Sequence, residues 1–237
     1  MFNRVSSLIL GILLFLVFYG STQSLYVFAT GLVLFIAATF AINIKRVGVS
    51  WPHLLLPCFY LLGSGSIFAV IASPSARLWF LIAACAIFYF LEMQLGRESH
   101  FLQNVFLFSA FAIFTGIFSL QFYFPRLSFV WVVLLVFVFS YLLIIQGFAG
   151  FSLPVKKYFS FLIALVCAQA AWGLSLWPTY YIVNAIVAFS IFYLLWIFSF
   201  SAFFGKLTRN KIYLQLSLVI IVLAATLLSA NFLPHNR

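Results

Sequence analysis

Acidic side chains are almost missing from these 237 residues: there is no aspartate, and Glu92 and Glu98 are the two glutamates. Without aspartate the chain cannot build the aspartate-rich magnesium sites of isoprenyl and CDP-alcohol transferases. Without adjacent glutamates it lacks the paired Glu-Glu motif of CAAX-type membrane proteases. Charged residues of either sign make up 6% of the chain, against about a quarter in a soluble domain, and 67% is hydrophobic. With a mean hydropathy of +1.25, a soluble globular protein is excluded.

Cysteine is also sparse. Cys58, Cys85 and Cys167 each lie inside an apolar run, and none belongs to a C-x-x-C pair, so neither a disulfide framework nor a zinc site follows. There is no Walker loop and no H-E-x-x-H. The intramembrane serine-protease pattern G-x-S-G is missing too, since around Ser64 glycine and serine fall in the reverse order. No histidine sits near the centre of an apolar run, where paired haem ligands would have to face each other. No cofactor and no metal is expected.

What the chain does contain is apolar runs long enough to cross a hydrocarbon core of about 30 Å, which takes about 20 helical residues. Nine such segments are predicted, at 5–20, 24–43, 51–72, 77–95, 101–123, 127–149, 157–176, 179–203 and 212–232. Proline, glycine or charge marks the junctions, as at Ser73-Pro74-Ser75, Pro125-Arg126 and Trp177-Pro178. The expected fold is an all-α polytopic membrane protein, a single bundle of about nine transmembrane helices over 1–237 with no soluble domain. A β-barrel is excluded, because its strands are about 10 residues long and alternate polar with apolar. The first segment has the outline of a secretory signal, with Arg4 ahead of an apolar stretch. No A-x-A-like site follows, and a retained helix is the favoured expectation.

Twelve basic residues give a net charge of +10, and they lie singly or in short groups between the apolar runs. That placement marks loops and argues against nucleic-acid binding; anionic lipid headgroups are the expected counterpart. With the amino terminus cytoplasmic, Arg4, Lys45, Arg46, Arg97, Lys156, Lys157, Lys206, Arg209 and Lys211 fall inside, and Arg77, Arg126 and Arg237 outside. This bias predicts a cytoplasmic N-terminus and an outside C-terminus; the expected location is the plasma membrane. Aromatic residues agree: Trp51 and Tyr158 fall at inner boundaries, and Trp79, Tyr123, Trp131, Trp177, Tyr180 and Tyr181 at outer ones.

Within the spans the polar residues are few. Glu92, on the fourth span, should be protonated, paired or turned to the protein interior, and helical spacing sets Cys85, Tyr89, Gly96 and Ser99 on its face, with Tyr89 a potential hydrogen-bond partner. His53, Arg97, Glu98 and His100 map to the same inner side and supply the residue types of acid–base chemistry; short loops also concentrate charge at membrane surfaces without any chemistry. The third span is expected to be broken, by Pro57 and by Gly63-Ser64-Gly65-Ser66, as in transporters that expose backbone for a substrate. The competing explanation is packing, since Gly65, Ala69 and Ser73 recur every four residues. Gln169 and Asn184 are the deepest uncharged polar residues, suited to interhelical hydrogen bonds or to lining a path.

Three functions follow in order. First comes a non-catalytic structural or partner-binding membrane component, with membrane lipids and either a membrane-protein partner or a second copy as partners. Second is a transporter or lipid flippase using the broken third helix and Glu92. Third is a lipid-modifying enzyme built on the inner His/Glu cluster.

Overall fold

The computed structural model describes residues 2–20, 24–44, 51–95, 99–148 and 153–230, and within these the side chains of 2–6, 25, 51, 153 and 154 are left aside. Arg97, Glu98, Lys45 and Arg46 therefore lie outside the described residues, as does the carboxy-terminal segment with His235.

Among the described residues the chain forms helices and no strands: α1 (Phe2–Gly20), α2 (Leu25–Ile44), α3 (Trp51–Val70), α4 (Pro74–Gln94), α5 (His100–Tyr123), α6 (Phe129–Gly147), α7 (Leu153–Ser175), α8 (Tyr181–Phe203) and α9 (Arg209–Ser229). From α2 onward, eight helices are long and apolar enough to cross a membrane, and α1 contributes a shorter apolar stretch, Ser7–Gly20. Lengths of 19 to 24 residues correspond to about 29–36 Å, the thickness of a hydrocarbon core with its margins. The protein is an all-α polytopic membrane bundle.

Helix starts extend beyond the apolar runs where polar residues can hold them. Ser73 accepts from the Ala76 N–H and Pro74 occupies the first turn, so α4 begins before Arg77. Thr208 caps α9 through the Lys211 N–H, and Ser128 caps α6 through Val130. α7 starts at Leu153, ahead of the 157 expected from charge, and takes Lys156 and Lys157 into its first turns. Basic side chains are compatible with these ends because their long stems reach the headgroup level from inside the helix. α8 ends in a Schellman motif: Gly205, at φ +62°, donates to the Ala202 carbonyl, and Lys206 donates to that of Ser201.

The chain divides into two compact units within α5, after Ala112. In the first, α1 packs on α4 and α2, α2 on α3, and α3 on α4. The rings of Phe18, Phe28 and Phe68 meet where α1 ends, α2 begins and α3 ends. Tyr60, fully buried, donates its hydroxyl to the Ala84 carbonyl at 2.9 Å and so ties α3 to α4. Gly65 lies against α2: a Cβ there would come within 2.8 Å of Leu32 Cδ2 and 3.5 Å of Phe28 Cζ. In the second unit α6 and α7 form the most extensively paired hairpin, α8 packs on α7, and α9 on α8. The C-terminal half of α5 contributes Phe114 against Phe192, and Gln121 Nε2 donates to the Ser175 carbonyl at 3.2 Å.

The expected break in the third span does not occur. α3 is one α-helix with Pro57 inside it. Pro57 withholds the backbone donor that the His53 carbonyl would receive, and further along the helix the hydroxyls of Ser64 and Ser66 bond the carbonyls of Tyr60 and Leu62.

Candidate functional site

Glu92 sits in the last turn of α4 and is 1% exposed. Its Oε1 accepts a 2.8 Å hydrogen bond from Nδ2 of Asn43, in the last turn of α2 and equally buried. The two meet because α2 and α4 are separated by one intervening helix and run in the same direction, so their last turns share a level. Phe35 and Phe88, about two turns and one turn earlier on those helices, pack with ring centroids 6.0 Å apart and hold them together. Cys58, on α3, lies within electrostatic reach of Glu92. The carboxyl is thus enclosed by three helices of the first unit, as the cost of exposing it to lipid requires.

Asn43 went unnoticed in the sequence, although a signal was there. It is an amide close in sequence to Lys45, at the C-terminal end of a span parallel to that of Glu92. Tyr89, expected as the partner of Glu92, lies on a different side of α4 with Cys85, in a groove of about 380 Å³ against Gly11, Ile12 and Phe15 of α1. The Oδ1 atom of Asn43 has no hydrogen-bond donor among the described residues.

The other candidates are dispersed. His53 is half-buried in the first turn of α3, whereas His100 is exposed at the first residue of α5. Arg97 lies outside the described residues. Ser64 donates to the Tyr60 carbonyl at 2.7 Å and Ser66 to that of Leu62 at 2.9 Å, so both hydroxyls are engaged by their own helix. Pro57, Gly63 and Gly65 are buried in α3. In the second unit Gln169 is exposed on α7, and Asn184 is buried in the first turn of α8, where its Oδ1 accepts from the Thr179 hydroxyl at 2.7 Å. Among the described residues no three His, Cys, Asp or Glu side chains gather as metal ligands.

Buried polar atoms without a hydrogen-bond partner among the described residues also occur in the second unit, where Gln146 Oε1 lies on α6 and Ser160 Oγ on α7. Lys156, on the same buried face of α7 as Ser160, is 4% exposed. Sequence alone placed Lys156 in a loop.

Compared with known proteins, the chain matches no family model, no curated protein and no solved structure.

Proposed function

We propose that the protein is a non-catalytic component of the plasma membrane that acts through its contacts with lipids and with a membrane-protein partner or a second copy of itself. One observation supports this most directly: polar groups within the spans are largely engaged by the protein's own atoms. Glu92 is bound by Asn43, Asn184 by Thr179 and Gln215 by Tyr193, while Ser64, Ser66, Ser109 and Ser119 bond their own helices. The Glu92–Asn43 and Gln215–Tyr193 bonds fasten helices together, and the rest keep polar atoms from a passing solute. The exposed surface of α9, where Val219 is the residue buried, gives such a component a broad apolar face.

A second reading, a transporter or flippase, is favoured by a single feature. The Oδ1 of Asn43 is an enclosed acceptor on the same amide that holds Glu92. A carboxyl with a spare acceptor beside it is suited to passing a proton or holding a cation.

Purified protein reconstituted in liposomes with a pH-sensitive dye inside separates the two. A component leaves a pH step no faster to decay than in empty vesicles, and Glu92→Gln changes nothing. Proton flux that the wild type supports and Glu92→Gln abolishes overturns the component reading in favour of transport.

A further inference from the structure

The α6–α7 pair carries an open groove of about 380 Å³ lined by Phe137, Tyr141, Lys157, Tyr158 and Phe161. Its floor is apolar: Phe137 and Phe161 meet edge to face at 5.8 Å, one from each helix. Polarity is confined to the end where α7 begins. There Lys157 and Tyr158 are exposed, whereas Lys156 is 4% exposed, on the buried face of α7, and does not line the groove. The first turn of α7 contains no acidic residue.

The charge at this end has no protein counterpart in its own unit. Both glutamates of the chain lie in the first unit, and the second, Ile113–Arg237, contains no acid at all. A helix start carries partial positive charge as well, which adds to that of Lys157. The groove therefore has an apolar body, two tyrosines and a cationic mouth at Lys157 that no acidic side chain of this unit can neutralise. Its volume falls at the lower end of the range for ligand sites, about 300–1,000 Å³.

We propose that the α6–α7 groove is a binding site for one anionic phospholipid, whose acyl chain lies against Phe137 and Phe161 and whose phosphate is held by Lys157 at the start of α7. The lipid supplies the negative charge that the second unit lacks. Zwitterionic lipid fits the apolar body equally well but gains less at the mouth, so the site selects by headgroup charge. This holds whether the protein proves to be a membrane component or a transporter.

Native mass spectrometry tests the site on the full chain in a neutral detergent, with equimolar dioleoylphosphatidylglycerol and dioleoylphosphatidylcholine. One phosphatidylglycerol should be retained in preference, and Lys157→Gln should lower that preference about fivefold, the ordinary contribution of one basic side chain near an anionic surface. Lys157 is exposed, so the variant keeps its fold. Lys206→Gln, on the loop after α8, should leave the preference unchanged. Equal retention of the two lipids, a preference that survives Lys157→Gln, or displacement of the lipid by millimolar inorganic phosphate would each overturn the proposal.

Discussion

Asn43 of α2 donates to Glu92 of α4 across 2.8 Å, joining two helices that are not neighbours in sequence through the single carboxyl of the described residues. Interhelical hydrogen bonds in membranes contribute about 0.6 kcal/mol on average and about 1.7 at most. A double-mutant cycle between Asn43→Ala and Glu92→Ala, followed by unfolding in mixed micelles, should return a coupling energy within that range. Glu92→Gln keeps the acceptor that Asn43 needs, and its stability should stay within about 0.5 kcal/mol of wild type. A coupling of zero means that the contact does not hold α2 to α4.

Close approach of α3 to α2 depends on Gly65. A single added methyl meets the flexible end of Leu32, which can yield, so Gly65→Ala should cost little. Gly65→Leu fills space that Phe28 and Leu32 already occupy and should destabilise by about 1–3 kcal/mol, the usual cost of overpacking. Gly173 is the control, for nothing lies within 4 Å of an added Cβ there. Gly173→Ala should be neutral or stabilising by up to about 1 kcal/mol through helix propensity. Thermal unfolding of the three variants in one detergent decides the order.

The helices were legible in the sequence because a membrane demands length and apolarity, and both can be read along the chain. Their partners were not. In a soluble protein polarity separates the outside from the inside, but lipid is as apolar as a core: Leu14 is fully buried and Leu16 is 58% exposed on the same helix. Which face packs must then come from small and polar residues. Gly65 was such a signal and was read as one of two alternatives. Asn43 was another and passed unseen, because an amide near a helix end looks like an interfacial residue until Glu92 is placed level with it. Lys156 misled for a related reason, since a basic residue marks a loop only when its helix stops before it. α3 continues through Pro57, which no hydropathy pattern reveals.

The unequal distribution of basic residues gives an orientation that labelling can check. In a background without Cys58, Cys85 and Cys167, Phe124→Cys lies in the segment between α5 and α6, and Leu207→Cys in the segment between α8 and α9. A membrane-impermeant maleimide added to intact cells should label position 124 and reach position 207 only after permeabilisation. The opposite pattern reverses the orientation and moves the start of α7 to the outer face.

Gly205 is the one described residue at positive φ, and it closes α8 through the bonds from Gly205 and Lys206 to the last turn. A side chain in this left-handed conformation costs about 1–2 kcal/mol, less for asparagine. Gly205→Val should therefore lower the unfolding midpoint more than Gly205→Asn, in the order Gly, Asn, Val. Nothing lies within 4 Å of an added Cβ, so any loss reports backbone conformation and not crowding.

α9 is the helix with least to hold it. Val219 is its buried residue, and the apolar remainder faces lipid, where leaving α8 exposes no surface to water. Hydrophobic burial cannot fasten a helix under these conditions, so packing and hydrogen bonds must. The bond from the Tyr193 hydroxyl to Gln215 Oε1, at 2.5 Å, is the specific tie between α8 and α9. Tyr193→Phe removes that tie and keeps the ring. Spin labels at Ile182→Cys on α8 and Leu218→Cys on α9, in the same cysteine-free background, should give one narrow distance distribution for the otherwise wild-type chain and a broader one with Tyr193→Phe. Gln215→Leu should broaden it equally, because either change leaves the same bond unmade. A distribution that stays narrow in both variants means that contacts around Val219 suffice to dock α9.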